Sequence, residues 1–551
     1  VTVNAVAGNH VVMLGLDLTP DRRRDCLGFA IQREDKTEGE RYWMKGMKTF
    51  EETDPGLGPG GQASSREHPF QAFQWSDYSA KPSHEYVYTV VPLYGKPSKL
   101  REGPAIAVDV ETEPELGNPH SVFFNRGSVA TQEYSRVFQD KAPSQLSPSQ
   151  QKAALRWLSR GLEEALQAFI ERASGPEWGL RGAFYEFEWP SVLEALGAAT
   201  KRKADVSVLY DGIPNKRRAP LTANEEAIAE AGIGDVCKPR LTGKIMHNKF
   251  LVLTRKGKPR AVWTGSTNIS ENGIFGHLNC GHIVDDAGIA AEYLTYWEEL
   301  CTNPETADER IWMGEHNPRP LPSGEELPPM TTVFSPHSGE GVLKWYREIA
   351  GSAKEALMMS FAFGMSAGFK DLYRSDDDVL RFALMDKVAV GRKESVEKQA
   401  AEIQEIRNRP NVVVAIGNRI PINSFDRWLR ELDKLSPRTM VPWVHTKFML
   451  VDPLGKSPTT ITGSANWSDD STSTNNENMV IVHGNPRVAD IYLGEFMRLH
   501  AHYAFRESLT WRDDGDPAPQ YLEPGKAWQD DHFDPANDRC RRRLYFARSS
   551  P

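Results

Sequence analysis

Apolar positions recur along this chain in two rhythms. Up to about residue 115 they form short strand-length runs: His10–Leu16, Gly28–Arg33, Phe70–Trp75, Tyr86–Tyr94 and Ile106–Val110. Turn-rich segments such as Asp54–Gln62 separate them. Runs of this length between turn signals predict a small all-β sandwich. From about residue 119 the period lengthens. Ser149–Arg172 carries Leu155, Leu158, Leu162, Leu166 and Ile170 at helical spacing. A strand (Gly182–Trp189), a short helix, a strand (Val206–Tyr210), a helix (Ala223–Ala231) and a strand (Asp235–Leu241) follow. The series then recurs as Gly341–Ala353, Ala356–Phe363, Val379–Met385, Ser395–Arg407 and Val412–Ile416. Strands alternating with helices imply α/β sheets with parallel pairing and helices on their faces. The reading is an all-β domain over 1–115, a first α/β half over 119–310, a linker over 311–329, a second half over 330–510 and a tail over 511–551. Pro318, Pro320, Pro322, Pro328 and Pro329 mark the linker as extended chain. The tail is polar, and is expected to wrap the surface or fray.

The repeat is sharpest in one short stretch. His247-Asn248-Lys249-Phe250-Leu251-Val252-Leu253 is followed by Thr264-Gly265-Ser266-Thr267-Asn268. His445-Thr446-Lys447-Phe448-Met449-Leu450-Val451-Asp452 is followed by Thr462-Gly463-Ser464-Ala465-Asn466. The histidine and the asparagine stand 21 residues apart in both copies. On a strand, positions i and i+2 project to one face, so each histidine is expected beside its lysine. A hairpin returning to the same edge brings the serine and asparagine back to them. Each half thus gathers an imidazole, an ammonium, a hydroxyl and an amide. Those groups suit a phosphodiester: cations and donors for the non-bridging oxygens, imidazoles for the phosphorus and the leaving oxygen. One half alone lacks either nucleophile or acid, and two facing halves supply both.

Charge narrows the substrate only slightly. Sixty-six Lys and Arg against 75 Asp and Glu give a net charge of −9, which argues against a general nucleic-acid binder. Lys201-Arg202-Lys203 and Lys216-Arg217-Arg218 are short basic runs, read as solvated loop or helix ends. Five sparse cysteines favour reduced thiols and a cytoplasmic setting, while a chain that begins at Val1 leaves export after cleavage open. His277, Cys280 and His282 fit no zinc spacing, so no metal and no cofactor are expected. Trp189, Trp263, Phe275 and Trp467 lie near the motifs and are read mainly as core.

The paired His-x-Lys and Gly-Ser-x-Asn motifs resemble those of the phospholipase D superfamily, over about residues 120–510. The resemblance implies two pseudo-symmetric α/β halves with one active site between them and a two-step displacement through a phosphohistidine, without metal. Carried over by motif, His247 is the nucleophile and His445 the general acid, then base. Lys249, Lys447, Asn268 and Asn466 hold the phosphoryl oxygens, and Ser266 and Ser464 are supporting donors to the substrate. The copies differ. The family's aspartate after the lysine is present as Asp452, but the first copy has Thr254. Its histidine-orienting carboxylate is matched by Glu477, while the equivalent position of the first copy, Asn279, is grouped with the substrate-binding residues. In the family this partner faces the histidine of the opposite half, so Glu477 is expected at His247 and Asn279 at His445. A carboxylate stabilises an imidazolium better than an amide does, which favours His247 as the nucleophile. The stretch Tyr86-Val87-Tyr88-Thr89-Val90-Val91-Pro92 with Gly95-Lys96-Pro97 loosely resembles late strands of a fibronectin type III module.

The function expected is therefore phospholipid phosphodiester hydrolysis, with transfer to an alcohol as a side activity. A metal-independent nuclease or nucleic-acid end-processing enzyme is the alternative. A monomer touching a membrane surface transiently is expected, with no strong nucleic-acid signature.

Overall fold

Two seven-stranded sheets of identical strand order dominate the chain. The first runs His120–Phe124, Cys280–Val284, Lys258–Gly265, Lys249–Arg255, Trp178–Phe184, Asp205–Asp211, Cys237–Arg240. The second runs Met330–Ser335, Glu477–His483, Thr459–Gly463, Met449–Val451, Ala356–Phe361, Leu380–Met385, Val412–Ile416. The last three strands of each order are parallel and linked by helical crossovers, and the other pairings are antiparallel. This is the mixed α/β architecture that the repeated helix–strand pattern demands. The computed structural model describes all residues except 58–60, 130–133, 135–136, 140, 214–219, 318–326, 389–392, 418–443, 509–520 and 550–551. The basic run at 216–218 and residues 318–326 of the expected linker lie outside the described residues.

The motif strands are continuously apolar because both faces of each sheet are covered. Leu158, Leu166, Phe169, Leu193 and Leu196 close over Leu180, Leu251 and Trp263 on one face of the first sheet. On the other face, helix Ala287–Cys301 lays Tyr293, Tyr296 and Trp297 against Phe250 and Val252 and reaches Phe334 of the second half. Asp286 starts this helix by accepting the N–H of Ile289 at 2.8 Å. The 23-residue helix Pro486–Ser508 covers the second sheet with Tyr492, Phe496 and Tyr503. Neither of these two helices was expected, because their buried aromatic residues blur the apolar period.

Three expectations need correction. The helix expected over Ser149–Arg172 is two helices, Pro148–Ser159 and Leu162–Glu171. Arg160 (φ 50°) and Gly161 (φ 89°) are both left-handed, which breaks the helix although the apolar spacing runs through. Helix Thr306–His316 occupies the start of the expected linker. The tail does not fray where it is described: helices Asp530–Phe533 and Asp538–Ala547 pack on the N-terminal sheets. Trp528 stacks on Phe73 at 5.2 Å, and Asn4 Nδ2 donates to the Phe546 carbonyl at 2.9 Å. Those sheets are antiparallel. One holds Thr2–Ala7, Val12–Asp17 and Gln74–Asp77; the larger is built on Cys26–Asp35 and Glu85–Lys96. Leu14, Leu16, Phe29, Ile31 and Tyr88 form their shared core.

Candidate active site

The two halves meet along a seam built by their motif loops. Met246 makes a parallel bridge to Asn476, and Leu278 makes one to Val444. Each histidine segment is thereby zipped to the segment of the opposite half that carries its orienting residue. Glu477 Oε2 lies 2.8 Å from His247 Nδ1, and Asn279 Oδ1 lies 2.8 Å from His445 Nδ1. Asn279 Nδ2 donates to the Gly273 carbonyl at 2.7 Å, which fixes Oδ1 as the atom facing His445. Both histidines are therefore protonated on Nδ1 when neutral, leaving Nε2 with the lone pair. Their ring centroids are 6.3 Å apart at 80°. The histidines sit just before the strands rather than on them: the first motif strand begins at Lys249. Both lysines fold back, Lys249 Nζ donating to the His247 carbonyl at 2.6 Å and Lys447 Nζ to that of His445.

The motif serines have a different place from the one expected. Ser266 Oγ donates to Asn279 Oδ1 at 2.8 Å and accepts the N–H of Cys280. Ser464 Oγ donates to Glu477 Oε2 at 2.6 Å and accepts the N–H of Asn478. Each hydroxyl has one proton, already donated, and both serines are fully buried. They hold the residues that orient the histidines, and are not donors to substrate. Asn279 likewise serves His445, not the substrate. The preceding glycines are required by close approach, since a β-carbon on Gly265 or Gly463 would overlap the carbonyl of Cys280 or Asn478. Asn268 is buried, and the Oδ1 atoms of Asn268 and Asn466 have no partner among the described residues.

A second duplicated pair was not anticipated. Asp211 ends the second parallel strand of the first half, and Asp386 directly follows that of the second. Asp211 Oδ2 accepts the N–H of Met246 at 2.9 Å, and Asp386 Oδ1 accepts that of Val444 at 3.1 Å. Each aspartate anchors the residue directly before a histidine. Superposing the strand repeats Val206–Tyr210 and Val379–Met385 would have aligned them. Asp452 accepts the N–H groups of Lys354, Glu355 and Ala356 at 2.7–2.9 Å, at the start of the neighbouring strand. It is a backbone clamp, remote from the histidines.

Burial dominates the electrostatics. It lowers His247 to about 4, with Lys249 and Lys447 acting in the same direction and Glu477 opposing. His445 is held well below its ordinary value by burial and by both lysines. Lys249 falls to about 8, again by burial, and Lys447 falls well below the usual lysine range. Burial works against ionisation of Glu477, but His247, Lys249 and the Ser464 hydroxyl keep it below the ordinary carboxylate range. The site thus presents neutral imidazoles and two lysines whose charged form an anion would favour.

His277 lies 6.1 Å from His445, centroid to centroid. His282 bonds His120 and the hydroxyl of Tyr492, away from the histidine pair. Among the described residues no group of three His, Cys, Asp or Glu is placed to hold a metal ion. Trp189, Trp263 and Trp467 are packing residues; Trp467 Nε1 donates to the Ser360 carbonyl at 2.9 Å. All five cysteines are free thiols.

A family profile described as "Cardiolipin synthase, PLD-like domain" matches residues 170–301 and 395–500, which contain both motifs. The chain carries a phospholipase D-like domain, as the paired motifs suggest. No curated protein matches it. Among solved structures, the phosphatidylserine synthase of Haemophilus influenzae Rd KW20 is 13% identical, with 62% of this chain and 85% of that one covered at a TM-score of 0.44. The polyphosphate kinase of Porphyromonas gingivalis is 13% identical, with 60% and 44% covered at 0.38; the chain spans less than half of that protein. The yeast tyrosyl-DNA phosphodiesterase is 12% identical, with 58% and 85% covered at 0.32. Phospholipase D superfamily members are phosphodiesterases and phosphotransferases, and this chain carries their duplicated motif with all four histidine and lysine positions filled.

Proposed function

We propose that the protein hydrolyses phospholipid phosphodiesters through a phosphohistidine on His247. The observation that carries the reading is the crossed pairing of the two histidines, one backed by a carboxylate and one by an amide. His247 Nε2 forms a bond to phosphorus, and the P–O bond to the leaving alcohol breaks. The departing oxygen takes the Nε2 proton of His445, whose proton affinity rises when the anionic phosphodiester enters. Neutral His445 then removes a proton from water; the water oxygen bonds phosphorus, the P–N bond breaks, and His445 ends protonated as it began. During the covalent stage His247 is cationic, and Glu477 is the group that stabilises that charge. Lys249, Lys447, Asn268 and Asn466 hold the non-bridging oxygens. An alcohol in place of water gives transfer.

The surroundings of the site favour a lipid over a nucleic acid. Tyr185 packs against His247, and Glu186 follows it. Glu186, Glu188 and Glu271 lie close enough that burial and the charges of the other two raise Glu188 to about 7. A strand bearing many phosphates would run against these carboxylates, whereas a single phosphodiester needs only the two lysines. Among the described residues no helix is long and apolar enough to cross a membrane.

The test is hydrolysis, in chelator, of mixed phospholipid vesicles, an aryl phosphodiester and single-stranded DNA. Release of head group from vesicles is expected, and His247→Ala and His445→Ala should each abolish it while remaining folded. DNA cleavage without lipid cleavage would replace the substrate. Loss of activity in chelator, or trapped phosphate on residue 445, would overturn the mechanism.

A further inference from the structure

Behind His247 lies a buried polar cluster that the reaction above does not use. We infer that Arg240, Glu309 and Asn476 form a positioning network that holds the His247–Glu477 pair in register across the seam; this rests on the reading of His247 as nucleophile. Arg240, on the sheet's edge strand, and Glu309, on helix Thr306–His316, are both fully buried. Arg240 Nη2 lies 3.2 Å from Glu309 Oε2, and Arg240 Nε donates to Asn476 Oδ1 at 3.3 Å. Asn476 Nδ2 closes the triangle by donating to Glu309 Oε1 at 2.6 Å. The remaining Arg240 donors reach Thr242, Asn303 and the Pro304 carbonyl, so its charge is surrounded by acceptors.

Asn476 is the hub. Its backbone N–H donates to the Ile245 carbonyl at 2.8 Å, and its carbonyl accepts the N–H of His247 at 2.9 Å. The next residue is Glu477. One residue therefore grips the backbone on both sides of Met246 and places the carboxylate that holds His247 Nδ1. A buried ion pair contributes little net stability against an apolar replacement, and its best-attested use is to fix registry. The other half supports this assignment by contrast. There the bridge to Val444 is made by Leu278, whose side chain can form no such bonds, and the histidine beyond it faces an amide. The ionic clamp stands behind the histidine–carboxylate pair. A displacement of Asn476 shifts the carboxylate relative to the ring, and an error of about 1 Å in such a pair costs about 100-fold in rate.

The experiment gives Asn476 the residue of its counterpart. Asn476→Leu keeps the backbone pairing and removes both side-chain bonds. It is compared with Glu309→Gln, which retains an oxygen for Asn476. Aryl phosphodiester kinetics are read together with the titration of His247 by NMR of 15N-histidine-labelled protein. Asn476→Leu is expected to lower kcat about 10- to 100-fold, with KM within about threefold, and to move the His247 titration. Glu309→Gln is expected to lose less than Asn476→Leu, because an oxygen that accepts from Asn476 Nδ2 remains. Wild-type kcat and an unmoved His247 titration in Asn476→Leu, whatever its melting temperature, would reduce the network to a structural role and overturn the inference. If the wild-type protein hydrolyses no phosphodiester, the reaction reading fails, and the NMR arm alone decides: a moved titration sustains the network and an unmoved one overturns it. Asn476→Ala, which also removes both side-chain bonds, replaces it should Asn476→Leu not fold.

Discussion

Replacing Glu477 by glutamine tests the asymmetry of the site most directly. Glu477 is fully buried, and its Oε2 meets both His247 Nδ1 at 2.8 Å and the Ser464 hydroxyl at 2.6 Å. A glutamine oxygen can accept both bonds, so the geometry survives and the charge is removed. Two unit charges about 4 Å apart interact by about 4 kcal/mol at an effective dielectric constant near 20. That is the order of the stabilisation lost when His247 becomes cationic. It corresponds to roughly a thousandfold in rate, at about 1.4 kcal/mol per tenfold. The variant is expected to lose about 100- to 1000-fold in kcat, with a much smaller change in KM. A second effect follows from the lysines. Glu477 raises the proton affinity of Lys249, which stands at about 8, and of Lys447. Without the carboxylate both lysines deprotonate at lower pH, so the alkaline limb of the activity profile moves towards acid. The assay is aryl phosphodiester hydrolysis across about pH 5 to 9, with kcat and KM separated at each point. A Glu477→Gln enzyme within about threefold of wild-type kcat, with its alkaline limb unmoved, would refute the reasoning.

Acid should destabilise the fold early. Burial lowers His120 and His247 to about 4, and His500, His502 and His532 to about 3. These rings are neutral in the native state and protonate near 6.5 when unfolded, so stability is complete above about pH 6.5 and falls towards pH 4, by about 1.4 kcal/mol per unit for each; a melting temperature flat from pH 7.5 to about 4.5 would contradict this. Inorganic phosphate should stabilise the fold by meeting Lys249 and Lys447, by about 2.7 kcal/mol at a hundred times its dissociation constant, read as a rise in melting temperature. Lys249→Ala with Lys447→Ala should abolish that shift, and an undiminished shift would place the phosphate elsewhere. Phe546→Ala should cost about 3–5 kcal/mol, because the ring is buried between the N-terminal sheet and the second half. A loss under about 1 kcal/mol in chemical denaturation would show the C-terminal helix to be dispensable.

The sequence by itself determined the parts that depend on near neighbours. Strand and helix order follows from local apolar period, and the duplicated motif from matched spacing. The difference between Glu477 and Asn279 was legible as soon as the two copies were aligned. What the chain could not disclose locally was decided by contacts between distant residues. The break at Arg160 and Gly161 needs two left-handed residues, which apolar spacing does not register. Helices Ala287–Cys301 and Pro486–Ser508 bury aromatic side chains against both a sheet and its neighbours, so their amphipathic period is blurred. The motif serines looked like donors to substrate until the sheet placed Asn279 and Glu477 beside them. Asp211 and Asp386 become anchors only where the parallel strands end against the histidine segments. Asn476 lies 229 positions from His247 in the chain and within one hydrogen bond of it in space. Composition and periodicity carry short-range information, whereas a hydroxyl, carboxylate or amide acquires its role from the partner that the fold brings within about 3 Å.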